Sequence, residues 1–156
     1  MHTKRSLWVR VAFALIVIGA LIQLVPYGRD HANPAVKAEP AWDTPETRAL
    51  AKRACFDCHS NETVWPIYAS VAPASWLVQR DVSLGRAALN FSEWQRPQPE
   101  AKEASEKVLE REMPPAAYQL MHGHARLSSI TRRQLAAGLA RTLPALGQRE
   151  SHESER

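Results

Sequence analysis

Apolar residues run almost without interruption through the first part of the chain. Residues 11–25 read VAFALIVIGALIQLV, in which Gln23 is the only polar residue. Extended back to Leu7, this run would form a helix about 28 Å long, close to the roughly 30 Å of a hydrocarbon core. Arg10 lies near the start of the longer run, where a long side chain can reach the headgroups. The pattern predicts a single transmembrane helix that anchors the chain through residues 1–25.

The charges on either side of this run predict its orientation. Lys4 and Arg5 precede it, whereas Arg29 and Asp30 follow it with mixed signs. The positive-inside rule then places the N-terminus in the cytoplasm and the rest of the chain on the outer, periplasmic face of the cytoplasmic membrane. A cleaved signal peptide is the alternative, although Asp30 interrupts the small-residue pattern near Ala32. Both interpretations predict export.

Behind the apolar run the chain divides into three segments. Residues 26–42 contain three prolines and no apolar period, which predicts an extended tether. Residues 43–143 carry helical periodicity and predict one compact domain. The polar residues 144–156 predict a disordered tail.

The compact domain shows four helical patterns and no convincing strand. Thr44 is a candidate cap for a helix that begins at Pro45 and runs into the cysteine pair described below. Further helices are predicted from about residue 73, after residue 99, and from about Thr131, where Thr131 and Gln134 fit a capping box. The sequence therefore predicts an all-α fold.

The net charge of +4 at pH 7 suggests a polyanionic partner at first sight. Three of the 20 basic residues are Lys4, Arg5 and Arg10, at the start of the chain; without them, 17 basic residues remain against 16 acidic ones. This remainder is almost neutral and shows no basic stripe with interleaved aromatic residues. Such a pattern argues against nucleic acid as a partner.

The two cysteines of the chain belong to one motif, Cys55-Phe56-Asp57-Cys58-His59. Two thiols three positions apart on a helical turn can form thioethers with the two vinyl groups of one haem. The histidine that follows then lies under the iron and can bind it as the proximal axial ligand. This spacing is typical of c-type haem attachment, with one covalently held haem c.

Three other uses of the cysteine pair are open from the sequence. A thioredoxin-like redox pair would require a strand before the motif, and none is predicted there. A structural zinc site would require four ligands, but no second C-x-x-C or H-x₃₋₅-H pair is present. A disulfide between Cys55 and Cys58 would close a very small loop and therefore stabilise little.

Met113 is the first candidate for the distal axial ligand of the iron. It lies in Arg-Glu-Met-Pro-Pro, where two prolines restrict the backbone that presents the thioether. His122 and His124 are the alternatives, and Met121 is a weaker one. Met113 could instead fill a gap in the core, which would leave the sixth position open.

Aromatic residues are plentiful in the compact domain and include Phe56, Trp65, Tyr68, Trp76 and Trp94. They can form the wall of a haem pocket that excludes water from the iron. Ordinary core packing would explain each of them equally well.

With these residues in view, the chain resembles the bacterial haem-binding domain family. The resemblance covers residues 26–143 and includes the tether PYGRDHANPAV, the block ACFDCHSNETVWPIYASVAPASWLVQRDVSLGRAALNFSEW, the EMPP element and the HGHARLSS segment. It implies a membrane-anchored protein with a small cytochrome c-like helical domain around one haem. It also implies that Cys55, Cys58 and His59 hold this haem.

Two functions of different classes follow as hypotheses. The leading one is an electron carrier, not an enzyme, that transfers single electrons through iron bound by His59 and Met113. The alternative is a haem-based gas or redox sensor with an open or displaceable sixth ligand. A peroxidase-like enzyme ranks last, because it would need an open site and a distal acid–base group. The redox partner is not apparent from the sequence.

Overall fold

The computed structural model describes residues 2–143, and the predicted disordered tail, residues 144–156, lies outside the described residues. The helices are α1 (His2–Ile22), α2 (Pro45–Ala54), α3 (Phe56–His59), α4 (Ala74–Ala88), α5 (Ala104–Leu109), α6 (Ala116–Met121) and α7 (Ser129–Thr142). Short 3₁₀ helices form at Ile67–Ser70, Ala101–Glu103 and Gly123–Ala125. The described residues divide into a first unit, residues 2–32 with Trp65–Asp81, and a second unit, Asn33–Val64 with residues 82–143.

The predicted single transmembrane helix is wrong. Among the residues that the structure describes, no helix is both long and apolar enough to cross a membrane. In α1 the uninterrupted apolar part lies between Arg10 and the last helical residue, Ile22. At 1.5 Å per residue this part extends about 18 Å, well short of the roughly 30 Å of a hydrocarbon core.

The first unit is held together by polar contacts at the end of α1. The Gln23 amide donates to the Ala72 carbonyl and accepts from the Ala72 N–H, at 2.9 and 3.0 Å. Gly28 has a φ of +78°, and a Cβ on it would lie 2.3 Å from the Ser75 carbonyl oxygen. Only glycine therefore combines this backbone conformation with such a close approach.

The second unit contains the hydrophobic core. Its fully buried members come from α2, α3, α5 and α7, and from the segment after α4; the largest are Phe56, Phe91, Leu135, Leu139 and Val108. The rings of Phe56 and Phe91 stack with centroids 5.5 Å apart. Helix α3, which carries part of the cysteine motif, is thereby fixed by its first residue to the centre of this core.

The described residues contain helices and no strand, as the periodicity predicts; one isolated parallel bridge pairs Ala38 with Glu93. The Thr44 cap is confirmed, since its side chain accepts from the Thr47 N–H at 3.1 Å. The capping box at Thr131 is not formed: Ser128 caps α7 and accepts from the Thr131 N–H at 3.1 Å. The serine caps a first turn that precedes the predicted one, so the helix begins at Ser129.

Residues 26–42, predicted as a tether, contain no helix but make specific contacts. In the second unit, the N–H groups of Lys37 and Ala38 both donate to the Ser92 carbonyl, at 2.9 and 3.2 Å. Glu39 pairs with Arg48 of α2 through two hydrogen bonds of 2.5 and 2.7 Å. The C-terminal part of this segment is therefore part of the folded unit.

Candidate functional site

The cysteine motif forms one helical turn, α3, directly after the end of α2. Cys55 ends α2, with its N–H donating to the Ala51 carbonyl at 2.8 Å, and α3 begins at the next residue. The N–H groups of Cys58 and His59 both donate to the Cys55 carbonyl, at 3.1 and 2.9 Å. Because residues three apart lie on the same side of a helical turn, the two sulfurs are presented together.

The two cysteines are not joined by a disulfide. Burial of the sulfur, and to a lesser extent the neighbouring Cys58, raises the pKa of the Cys55 thiol to about 12. Cys55 is therefore a neutral thiol at pH 7. A thioredoxin-type pair has the opposite property, a thiol whose pKa is lowered so that it reacts as a thiolate.

His59 is oriented by two backbone carbonyls at the end of α4. Its Nδ1 lies 3.0 Å from the Gly85 oxygen and 3.1 Å from the Leu89 oxygen. Since a carbonyl oxygen can only accept, Nδ1 carries the proton and Nε2 keeps its lone pair. This is the tautomer in which a histidine binds a metal, with the other ring nitrogen donating to the protein.

Burial also favours the neutral form of the His59 ring. It lowers the pKa of the imidazole, against the smaller raising effect of the bonds to Leu89 and Gly85. The ring is therefore neutral at pH 7. A neutral imidazole with a fixed tautomer is ready to bind iron through Nε2.

Helix α4 approaches the motif closely at Gly85. A Cβ on this residue would lie 2.5 Å from the Cys58 carbonyl oxygen and 3.0 Å from the Cys58 Cβ. Real Cβ atoms essentially never come within 3.0 Å of such neighbours. The glycine therefore allows α4 to bring its carbonyls within reach of His59.

A buried polar network supports the backbone that follows α4. The Asn90 side chain donates to Asn61 at 2.9 Å and accepts from the Ser92 N–H at 2.9 Å. Its own N–H donates to the Gln98 side chain at 2.8 Å. All four residues are buried, and each bond satisfies a polar group that would otherwise be costly to bury. The network fixes the chain directly after the Leu89 carbonyl.

Arg86 connects α4 to the loop after the motif. Its Nε donates to the Ser60 carbonyl at 2.8 Å, and one terminal nitrogen donates to Asn33 and to Thr63 at 3.0 Å each. The guanidinium thereby joins two segments of the second unit, the loop from Ser60 to Thr63 and the chain at Asn33, to α4. This arrangement fixes the loop that leaves His59.

Met113 is half-buried and packs against the hydrophobic core of the second unit. Phe56 is a member of this core, and Cys55 also packs against it. Its N–H donates to the Lys107 carbonyl at 3.0 Å, and its carbonyl accepts from the buried Arg132 at 2.8 Å. The backbone of this residue is therefore held at both ends. The thioether projects from a fixed position in the same core as the motif.

The alternative ligands His122 and His124 follow α6. The His122 ring stacks on Tyr118 with centroids 4.2 Å apart, and its Nδ1 lies 3.1 Å from the Tyr118 carbonyl. His124 meets the edge of His122 at 5.7 Å. Tyr118 in turn donates from its hydroxyl to Asp57 of the motif, at 2.5 Å. Met121 is largely exposed on the same helix.

The aromatic residues proposed as a pocket wall divide between the two units. Phe56 is buried in the core of the second unit, where Trp94 stacks on Phe91 at 6.4 Å. In the first unit, Trp65 stacks on His31 at 4.9 Å, and the Trp76 Nε1 is buried without a hydrogen-bond partner. Tyr68 lies half-buried in the 3₁₀ helix of the same unit.

Sequence reasoning missed the residues that hold the motif in place. The partners of His59 are backbone carbonyls, which any residue type supplies, so no sequence signal marks them. Tyr118 and Asn90 have side chains of common types in segments without a motif. Asp57 could have been noticed, because a carboxylate between the two cysteines is a strong acceptor close to the site.

The domain is small and helical, with two thiols on one turn and a histidine whose free nitrogen can bind metal. These features are those of the class of haem-binding proteins. The family model of the haem-binding domain matches residues 17–141. The chain belongs to this family, which supports haem as the cofactor. Comparisons with curated proteins and with solved structures find no match.

The residues of the site fit a haem. The two thiols on one turn are arranged for two vinyl groups on one edge, and the His59 tautomer leaves Nε2 available for iron. By contrast, the described residues contain no group of three or more His, Cys, Asp and Glu side chains that could hold a metal ion directly.

Proposed function

We propose that this chain holds one haem covalently, as a c-type cytochrome does, and transfers single electrons. The observation that carries the proposal is the orientation of His59, whose Nδ1 is committed to the Gly85 and Leu89 carbonyls at 3.0 and 3.1 Å. This arrangement leaves Nε2 as the nitrogen available for iron, on the residue that follows the cysteine pair. The bound haem would supply the one-electron couple of its iron.

Cys55 and Cys58 would attach the cofactor. Each sulfur would form a bond to one vinyl carbon while the thiol hydrogen passes to the other carbon. No atom leaves and no oxidant is required, because the thiol adds across a double bond. The raised pKa of the Cys55 thiol keeps this hydrogen on the sulfur at pH 7.

His59 and Met113 would be the two protein ligands that hold the iron. The carbonyl partners of His59 make its imidazole a stronger donor, as outer hydrogen bonds do for metal-bound histidines. A thioether ligand favours the reduced iron and raises the reduction potential relative to a second histidine. The proposed role is therefore that of an electron carrier rather than an enzyme.

We also propose that the haem-loaded chain functions outside the cytoplasm. The basic residues followed by an apolar run have the order of an export signal. Fractionation of the producing cells tests this location, and haem-loaded protein confined to the cytoplasm would contradict it.

The first test is an absorption spectrum of the full chain from cells that mature c-type haem, repeated after denaturation in alkaline pyridine. We expect the thioether-linked spectrum after denaturation, and its loss in Cys55→Ala/Cys58→Ala. Haem that dissociates from the wild-type chain on denaturation would contradict covalent attachment.

The axial ligand is tested by Met113→Ala, with Met121→Ala as the matched control on an exposed position. Met113→Ala should keep covalent haem but lose the sulfur-to-iron band and the low-spin spectrum. Met121→Ala should resemble the wild type. An unchanged spectrum of Met113→Ala would exclude this residue as the ligand.

A sensor with a displaceable sixth ligand is the second candidate, because Tyr118 links the segment of His122 to the motif through Asp57. Carbon monoxide distinguishes the two functions. An electron carrier with Met113 bound should react slowly with it in the reduced form, whereas rapid binding would favour the sensor.

A further inference from the structure

We propose that the hydrogen bond between Tyr118 and Asp57 is a latch that restrains helix α6 and keeps His122 from replacing Met113 as the sixth ligand. This inference rests on the proposed function above. It concerns the segment from Met113 to His124, which carries all the candidate ligands for the sixth position, and its attachment to the haem-binding motif.

The latch is a direct hydrogen bond across 61 positions of sequence. The Tyr118 hydroxyl donates to the Asp57 carboxylate at 2.5 Å, and Asp57 lies between the two cysteines. The other carboxylate oxygen accepts from the Val64 N–H at 2.9 Å, and the Asp57 carbonyl accepts from Thr63 at 2.8 Å. The acceptor is therefore itself held in place, as a positioning contact requires.

The segment that the latch holds is internally connected. The Gln119 side chain donates to the Pro114 carbonyl at 2.5 Å, and its N–H donates to the Pro115 carbonyl at 3.0 Å. The Arg126 guanidinium donates to the Gln119 carbonyl at 3.0 Å. A restraint on α6 therefore acts on the whole segment from Pro114 to Arg126, which carries His122 and His124.

The same contacts hold His122 in a different position. Its ring stacks on Tyr118 at 4.2 Å and 19°, and both its N–H and its Nδ1 face the Tyr118 carbonyl, at 2.9 and 3.1 Å. With the Tyr118 hydroxyl fixed to Asp57, the imidazole is fixed too. Met113, by contrast, is anchored independently by the Lys107 carbonyl and by Arg132.

The Tyr118 hydroxyl would therefore control whether Met113 or His122 binds the iron. When the hydroxyl is removed, α6 loses this hydrogen bond to the motif, and a shift of α6 can carry the His122 ring towards the iron. A hydrogen bond to a charged group typically contributes enough to change an equilibrium about tenfold or more. The ratio of methionine-bound to histidine-bound iron should fall by about that factor.

The test uses Tyr118→Phe, which keeps the ring and its stack on His122. The matched control is Tyr27→Phe, a tyrosine that is half exposed in the first unit. In the haem-loaded full chain, we expect Tyr118→Phe to weaken the sulfur-to-iron band and lower the reduction potential, and Tyr27→Phe to leave both unchanged. Asp57→Asn, which can still accept from Val64, should act in the same direction.

The decisive variant is Tyr118→Phe/His122→Ala. It should restore the sulfur-to-iron band, because the competing ligand is absent. A band that survives Tyr118→Phe unchanged overturns the latch while leaving the proposed function intact, and a lost band that His122→Ala does not restore overturns it as well. A wild-type chain with covalent haem but no such band removes the Met113 assignment and this inference together. A wild-type chain without covalent haem contradicts the proposed function itself.

Discussion

Gly85 lies inside helix α4, where glycine is ordinarily unfavourable, and its replacement by alanine tests the packing of the site. In most helices this change would stabilise the protein by about 1 kcal/mol, because alanine loses less backbone entropy. Here the new methyl would lie 2.5 Å from the Cys58 carbonyl oxygen, whereas ordinary contacts begin at 3.4 Å. The obstacle is backbone rather than a flexible side chain, so α4 has to move by about 0.9 Å.

Overpacking of this kind costs about 1–3 kcal/mol, and a clash with backbone belongs at the upper end of that range. Set against the gain in helix propensity, the net loss is about 2 kcal/mol. For a chain of this size that loss lowers the Tm by roughly 4–8 °C. The displaced helix also takes the Gly85 carbonyl away from the His59 Nδ1, which it contacts at 3.0 Å.

Thermal unfolding of the haem-loaded chain, followed by circular dichroism and by haem absorption, measures both effects. Gly19→Ala is the matched control, because Gly19 is also helical and a Cβ there would meet nothing within 4 Å. We expect no loss of Tm in the control, and a lower Tm with a weakened low-spin spectrum in Gly85→Ala. An unchanged Tm and spectrum in Gly85→Ala would refute the close approach of α4 to the motif.

Three further substitutions test the second unit by its free energy of unfolding. Glu39→Gln removes the charge of the group that accepts a hydrogen bond from Arg48. This hydrogen bond lowers the pKa of Glu39, so the pair contributes its stability, about 1 kcal/mol, at pH 7. That difference should shrink as the pH falls below the ordinary value of 4.5, and a constant difference would exclude the charge as its cause. Leu135→Ala empties a fully buried position and should cost about 2–5 kcal/mol in chemical denaturation, so a loss below about 1 kcal/mol would place Leu135 outside the core. Ser128→Ala removes the cap of α7 and should cost about 1 kcal/mol, more than Thr131→Ala; the reverse order would favour the box predicted from the sequence.

The local elements of this fold were accessible from the sequence because their signals are local. Thr44 before Pro45 is a cap followed by a residue suited to the first turn, and the helix begins there. The prediction for α1 failed for a different reason. The run from residue 7 to residue 25 includes Arg10 and Gln23, and the apolar part of the helix between them is too short to cross a bilayer.

The candidate site likewise has features that the sequence predicts and features that depend on the tertiary fold. The cysteine motif is visible in the sequence because thioether attachment and iron binding need particular side chains at a fixed spacing. The position of Met113 was a hypothesis from its proline context, and the structure adds that Arg132 and Lys107 hold its backbone. Contacts such as Tyr118 to Asp57 depend on the tertiary fold, because 61 positions of sequence separate the two residues.

The end of α4 and the histidine of the motif satisfy each other's hydrogen-bonding needs. The last carbonyls of a helix have no partners within the helix, and leaving them buried without a donor is costly. Here the Ala88 carbonyl accepts from the Glu100 N–H at 3.2 Å, and the Leu89 carbonyl faces the His59 Nδ1. The Gly85 carbonyl accepts from the Leu89 N–H at 2.9 Å and also faces the His59 Nδ1. A helix C-terminus carries partial negative charge, which favours a donor that gains positive character when its other nitrogen binds metal. The helix therefore ends where the ring of His59 requires acceptors, and the close approach at Gly85 makes this position reachable.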